Sequence, residues 1–352
     1  MGHHHLHPLK PLRVEECPSL GDLLDAMAET SFGGRQVGHA WSVLRWVAQQ
    51  PRLPVILTIS GAMTVAKMGA LFGSLISRGI VKAVVTTGAL VTHSLVEELG
   101  YPHYKAHPPV SDESLHADRL NRIYDTLEPE ENLEALENRT RKVLSRLNQV
   151  EAYGSADLIH HLSAELLLKH PTKGLLGAAV RHEVPVFVPA FGDSELGMYM
   201  FRFRHLRGTD RPVGPTYDGL KDLEQYASWL VRQRELAILT VGGGAPRNWA
   251  QQMLPFLGSE DSWKVLSENG LPKIVAGVRI CPDPESLGHL SGSTYSEGVT
   301  WGKFPATRQN MFAEVHADAT IVLPFLAKAL FDVLDRDAEE IGINVHGNGE
   351  KG

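Results

Sequence analysis

Within fifty residues the chain twice repeats one order: a short apolar run, a glycine, then a helical pattern. Pro54-Val55-Ile56-Leu57-Thr58-Ile59-Ser60 ends at Gly61, and a helix is expected from about Thr64 to Ser77. Val81 to Thr87 ends at Gly88, and a helix is expected from about Thr92 to Leu99. Runs that are apolar throughout, without alternation, belong to strands buried on both faces. Such strands separated by helices pair in parallel, because a parallel neighbour needs a crossover connection. The expected fold is therefore α/β: a doubly wound parallel sheet with helices on both faces.

The rest of the chain extends this pattern. Further strands are expected at Val184–Pro189, Leu236–Val241, Lys273–Ile280 and Glu314–Ala317. Helices are expected over Leu20–Gln50, broken at Gly33-Gly34, and over Pro129–Gln149, where dense charge predicts a surface helix. Others should span Ser155–Lys169, Leu175–His182, Leu220–Arg234 and Ile321–Leu334. Residues 101–128 read as a polar connection, and Cys281–Gly302 as a long loop rich in Gly, Ser and Pro. The boundaries that follow are an irregular lead-in (1–20), one domain with an N-terminal helical extension (21–340), and a polar tail (341–352).

Composition narrows the classes. The formal charge of −7 argues against a partner bound through a phosphate backbone and suits a cationic substrate. Two cysteines, Cys17 and Cys281, do not make a disulfide framework. No apolar stretch has the length of a membrane span, and the N-terminus lacks the apolar core of a signal peptide. A cytoplasmic protein is expected, without nucleic-acid or membrane partners. The His3-His4-His5 cluster carries no functional expectation, and no metal site is expected.

In open parallel sheets, ligands bind beyond the C-terminal ends of the strands. Ser60-Gly61, Thr86-Thr87-Gly88, Asp193 and Gly242-Gly243-Gly244 all fall there. Glycine lets a backbone approach a phosphate closely, and a helix N-terminus offers it unpaired N–H groups. The Gly-x-Gly-x-x-Gly dinucleotide fingerprint is absent, so an ordinary Rossmann dehydrogenase is not supported. A second cluster runs from Gly288 to Lys303 and places Glu297, Trp301 and Lys303 within seven residues. An indole face and a carboxylate can hold a cation. A lysine becomes a nucleophile once a desolvated site favours its neutral form.

The order of these segments resembles the deoxyhypusine synthase family from about Ser31 to Leu334. The matching pieces are Val85-Thr86-Thr87, Asn121-Arg122-Ile123 with Pro129 and Asn132, and Pro185-Val186-Phe187 with Pro189-Ala190 and Asp193. They continue with Gly242-Gly243-Gly244, Glu297 through Trp301-Gly302-Lys303, and Ala317-Asp318-Ala319. The resemblance implies a Rossmann-like sheet, NAD as cofactor, and a homotetramer with active sites at dimer interfaces. It implies oxidation of a carbon beside an amine of spermidine. The aminobutyl group then passes as an imine to Lys303 and on to an acceptor amine. It marks Ser60, Gly61, Thr86, Thr87, Gly88, Asp193, Gly242, Gly243, Gly244 and Asp318 as the cofactor set. Glu297 and Trp301 stand beside Lys303 as the amine-binding pair.

The chain also departs from the family pattern. Thr92 and His93 stand where two glutamates are usual, Asn248 where a histidine is, and Met198 and Leu290 where aspartates are. Glu195 lies near Met198. Glu195 and Asn248 therefore join the substrate-binding candidates. Losing the buried ion-pair partner of an ammonium costs about 3–5 kcal/mol, so the amine need not be spermidine. The departures resemble the prokaryotic deoxyhypusine synthase-like branch. They imply a small-molecule acceptor, as in homospermidine synthesis, with modification of a translation-factor lysine or an idle NAD-binding homologue as the alternatives.

Overall fold

The computed structural model describes residues 7–106, 111–169, 172–205, 213–259 and 270–340. The His3–His5 cluster and the polar tail lie outside them. In chain order the first elements are α1 (Leu20–Ala28), α2 (Phe32–Ala48), β1 (Val55–Ile59), α3 (Gly69–Ser77), β2 (Val81–Val85) and α4 (Gly88–Glu98). A more polar stretch holds β3 (Tyr104–Lys105), α5 (Asp112–Ala117), β4 (Leu120–Ile123), β5 (Thr126–Pro129) and α6 (Glu130–Leu144). Then come β6 (Ala152–Tyr153), α7 (Ser155–Leu167), α8 (Leu175–Arg181), β7 (Val186–Phe187), α9 (Glu195–His205), β8 (Thr216–Tyr217) and α10 (Gly219–Leu230). The last are β9 (Glu235–Val241), α11 (Gly244–Ser259), β10 (Lys273–Ile280), α12 (Tyr295–Thr300), β11 (Phe312–Val315) and α13 (Ala319–Glu340).

Internal contacts divide the chain into two compact units. The first gathers the described residues of Met1–Leu53, Glu235–Gly242 and Lys273–Gly352. Its strands β9, β10 and β11 run parallel in the order β11-β10-β9, with Gly277 opposite both Ile238 and Phe312. Both α2 and α13 pack on β10, and α2 also covers β11, so the expected N-terminal extension forms part of this core. The break between α1 and α2 falls at Glu29–Ser31, not at Gly33-Gly34. Ser31 holds an extended backbone immediately before α2, the conformation of an N-cap, and both glycines lie in the helix's first turn. Helix α13 runs beyond Leu334 to Glu340.

The second unit comprises Pro54–Arg234 and Gly243–Pro272. Its parallel strands lie in the order β1-β2-β7, with Val55 opposite Val81 and Val84 opposite Val186. Every residue of β1 is buried, as its unbroken apolar run requires. Helix α11 packs on β1 and β2, α7 packs on β7, and α3 packs against α8. The architecture is α/β, with parallel strands flanked by helices. The stretch read as a polar connection contains α5 and a small antiparallel sheet in the order β3-β5-β4. Helix α4 begins at Gly88, earlier than the apolar spacing predicts, because Thr87 Oγ1 accepts the Leu90 N–H at 3.2 Å and caps it. Helix α3 begins only at Gly69, after a turn over residues 63–67.

Among the described residues, no helix is long and apolar enough to cross a membrane.

Candidate active site

The strand ends of the second unit open onto a groove of about 770 Å³. Gly61 lines it just past β1, Thr87 and Ala89 at the start of α4, and Asp193, Ser194 and Glu195 at the start of α9. Four residues selected from sequence thus share one surface: Gly61, Thr87, Asp193 and Glu195. Gly88 makes that surface possible. A Cβ there would sit 2.3 Å from Ser194 Cβ and 2.5 Å from its Oγ, so only glycine lets the α4 N-terminus come this close to the Asp193 loop. Gly61 holds a left-handed φ of +74° that favours glycine.

Two of the expected cofactor residues do internal work. Thr86 is buried, and its hydroxyl donates to the Ile59 carbonyl at 3.0 Å, tying the end of β2 to β1. Ser60 Oγ accepts the Gly243 N–H at 2.8 Å. The Gly242 N–H donates to the Ile280 carbonyl at 2.8 Å. Two of the three glycine-loop N–H groups are therefore engaged by the protein itself. The loop still brings backbone to a strand end: Gly242 and Gly244 hold φ of +78° and +64°, and nothing lies within 4 Å of a Cβ placed on Gly244. The sixteen-residue α11 starts there. Its N-terminal dipole and first N–H groups suit an anion.

The remaining wall of the groove is acidic. Glu130, Glu134 and Glu137 of α6 face it, with Tyr199, Met198 and Arg202 of α9. Arg119 pairs with Glu130 and Glu134, and Glu137 pairs with Arg141 and Arg202. Burial, with the nearby charges of Glu195 and Glu137, pushes the Tyr199 hydroxyl well above its ordinary range, so it stays a neutral donor, here to the Leu133 carbonyl at 3.0 Å. Glu195 Oε2 is buried and has no hydrogen-bond partner among the described residues. A buried acceptor in that state costs about 1–3 kcal/mol, which a ligand's donor would recover.

The lysine segment belongs to the first unit. Arg279 of β10 is buried, and its guanidinium pairs with Glu314 of β11 at 2.5 Å and donates to the Ser291 carbonyl at 2.7 Å. Glu314 in turn accepts the Tyr295 N–H at 2.5 Å. These contacts pin the loop expected over Cys281–Gly302 and start α12, whose Thr294 cap accepts the Glu297 N–H at 3.0 Å. Tyr295 packs against Phe304 and Phe312, and a Cβ on Gly298 would strike Phe304 Cδ2 at 2.5 Å. The helix ends at Trp301, and Gly302 with φ +70° turns the chain so that Lys303 N–H reaches the Gly298 carbonyl at 3.0 Å. Lys303 Nζ then lies 6.0 Å from the Trp301 ring centroid, at the outer limit of a cation–π contact. Glu297 is exposed on the first turn of the same helix.

Other selected residues are placed more simply. Asp318 caps α13, accepting from both the backbone N–H and the hydroxyl of Thr320 at 2.6 Å, and these bonds hold its carboxyl below the usual range. Asn248 donates along α11 to Gln252 at 2.9 Å. Met198 and Leu290, which stand where the family pattern has aspartates, are exposed. Sequence reading did not select the α6 glutamates as site residues. Their only signal was the charge density that marked α6 as a surface helix, although Glu137 is buried.

Parallel strands with glycine turns and helix N-termini at their C-terminal ends have the arrangement in which open α/β sheets bind ligands. The family model described as deoxyhypusine synthase matches residues 22–330. A Methanosarcina mazei protein named "Probable deoxyhypusine synthase 2" is 30% identical over 326 residues, covering 92% of this chain and 90% of that one. A Coxiella burnetii "Deoxyhypusine synthase-like protein" is 30% identical over 308 residues, covering 87% and 84%. A crystal structure of an Entamoeba histolytica chain, assigned by its name to the same synthase, shares the fold with a TM-score of 0.60 at 15% identity, over 93% of this chain and 98% of that one. The chain belongs to the deoxyhypusine synthase family, whose general chemistry is NAD-dependent aminobutyl transfer.

Proposed function

We propose that this chain transfers an aminobutyl group from a polyamine or related amine through an imine on Lys303, and that the acceptor is a small-molecule amine, as in homospermidine synthesis. The observation that carries the reading is the end of α12, where Gly298 and Gly302 turn the chain so that Lys303 Nζ lies 6.0 Å from the Trp301 ring centroid. Bound NAD would supply hydride acceptance from the carbon beside the donor's secondary amine, and hydride return at the end. Gly61, Thr87, Gly88, Asp193 and the Gly242–Gly244 loop would hold it, with Asp193 as the candidate for the ribose hydroxyls.

The remaining steps belong to this chain's own residues. Lys303, as the neutral amine, adds to the carbon of the donor's imine. The shorter amine leaves with a proton, and the carbon–nitrogen double bond now joins the aminobutyl group to Nζ. The acceptor amine then adds to the same carbon, and Nζ leaves, regenerating Lys303. Glu297 and Trp301 would steady the cationic chain during both exchanges; in the groove of the second unit, Glu195 is a candidate for an ammonium. Assembly as a homotetramer with active sites at dimer interfaces is part of the same proposal, and light scattering tests it.

The test is incubation with NAD and candidate diamines and polyamines, followed by mass spectrometry and by borohydride trapping. The expected results are a free aminobutylated amine and a reduced adduct on Lys303. Trapping of label at full level by Lys303→Arg would remove that residue from the role. The name of the Methanosarcina mazei relative favours a second reading, in which the acceptor is a translation-factor lysine. Transfer to that protein, with none to free amines, would establish it instead.

A further inference from the structure

The second unit contains a buried cluster that the proposed reaction does not use. His93 of α4, His103 just before β3 and Glu128 of β5 meet at one point. His93 Nδ1 lies 2.9 Å from one Glu128 oxygen and His103 Nε2 lies 3.6 Å from the other. The ligand atoms of the three residues all fall within 4.8 Å of one another. The His103 and Glu128 side chains are 1% exposed and that of His93 is 11% exposed. Among the described residues, both Glu128 oxygens, His93 Nδ1 and His103 Nε2 are buried and face one another, with no hydrogen-bond partner outside the cluster. Two imidazole nitrogens and both oxygens of one carboxylate thus converge on one buried point, where the carboxylate's charge is met by the imidazoles alone.

We propose that His93, His103 and Glu128 form a site for a divalent transition-metal ion of the zinc class. Two imidazole nitrogens and a carboxylate oxygen are the donor set such ions take, and three protein ligands leave a further coordination position open. Calcium and magnesium prefer oxygen ligands throughout and fit this set poorly. His93 also lines the acidic groove, so the ion would fix the orientation of one groove-wall side chain.

One neighbour must respond to loading. Lys67 Nζ lies 3.1 Å from His103 Nδ1, and an ammonium can only donate there. If His103 gives its Nε2 lone pair to an ion, Nδ1 carries the proton, and the Lys67 contact becomes donor against donor. Lys67 is half-exposed and has the Glu97 carboxylate 3.8 Å away as another partner. Lys67 therefore competes with the metal, and removing its amine favours binding.

The test uses the full-length chain with His3, His4, His5 and His7 changed to alanine, which removes the N-terminal imidazoles as a second source of metal binding. The chelator-stripped protein is titrated with Zn²⁺ by calorimetry and with Co²⁺ by visible absorption. The expected results are uptake of about one equivalent, a Co²⁺ band of low coordination number, and a raised melting temperature. His103→Gln should weaken Zn²⁺ at least about tenfold, the scale for lost support at metal sites, and Lys67→Ala should bind at least as tightly as the parent. A parent that takes up no Zn²⁺ and shows no thermal shift overturns the site, whatever the variants do. So does Zn²⁺ binding of unchanged affinity in His103→Gln.

Discussion

Replacing Gly88 by alanine should lower stability, and the loss should depend almost wholly on Ser194. The backbone at Gly88 is that of an ordinary helix start, so φ does not demand glycine. The demand comes from Ser194, whose Cβ and Oγ would lie 2.3 and 2.5 Å from the new methyl, closer than any real contact. Overpacking of this kind costs about 1–3 kcal/mol. Alanine returns up to about 1 kcal/mol of helix propensity over glycine, which, returned in full, leaves a net loss of up to about 2 kcal/mol. Ser194→Gly removes both clashing atoms, and the next neighbour, the Asp193 carbonyl at 3.6 Å, is in ordinary contact. In that background Gly88→Ala should be neutral or mildly stabilising. Ser194→Gly alone forfeits the hydroxyl's bonds to the Phe191 carbonyl and the Gly197 N–H, yet glycine at such a cap costs only a few tenths of a kcal/mol. The cycle of four proteins, measured by urea unfolding, should then show a coupling of about 1–3 kcal/mol, the overpacking cost itself, since the propensity gain is common to both backgrounds. Equal losses from Gly88→Ala in both backgrounds would refute the close-approach argument.

Two other substitutions test the frame of the second unit. Glu98 accepts the Leu176 and Gly177 N–H groups at the start of α8, both at 2.8 Å, along with the Thr172 and Ser94 hydroxyls. Glu98→Ala should therefore cost about 3–5 kcal/mol, from two orphaned N–H groups at about 1–3 kcal/mol each plus the loss of a helix-dipole partner; a denaturation midpoint within error of the parent would show that the carboxylate is dispensable. Burial raises the Asp222 carboxyl, against the lowering effect of hydrogen bonds from Ser155, Ala156 and Tyr217. A raised folded-state value contributes stability at pH below the unfolded value near 3.8 and loses it as pH climbs through the folded value. Asp222→Asn should therefore gain on the parent in melting temperature between pH 4 and pH 7.5, and a constant difference across that range would contradict it.

The strands were legible where an unbroken apolar run decides them, as in β1, β9 and β10. Elements set by single hydrogen bonds were not. The start of α4 depends on one threonine hydroxyl, which apolar spacing does not register. The six residues of α12 read as loop because Glu314, which anchors its first N–H, lies 19 residues away. Distance along the chain hid the His93, His103 and Glu128 cluster in the same way. Its members sit on three separate segments with no motif spacing, and only folding α4 against the β3-β5-β4 sheet joins them. The aromatic–lysine segment was legible by family order, yet the reason it holds its shape, the Arg279–Glu314 pair, is a cross-strand fact.

The charge of the groove reads differently once its partners are known. From sequence, acidic excess suited any cationic substrate. In the structure, Arg119 neutralises Glu130 and Glu134, and Arg141 and Arg202 share Glu137. Among the described residues, no ion pair engages Asp193 or Glu195, and Glu195 Oε2 is already stripped of water and partner. If Asp193 is taken by ribose, Glu195 is the carboxylate of this groove left with capacity for an ammonium. Met198, three residues on and exposed in the same groove, offers only apolar contact. A groove with one strong ammonium position followed by an apolar one discriminates by chain length: it holds one charged end and a methylene run, and penalises a second charge placed against the thioether. On the proposed reaction, that ordering of groups favours an amine with one charged end at Glu195 and a methylene run along Met198.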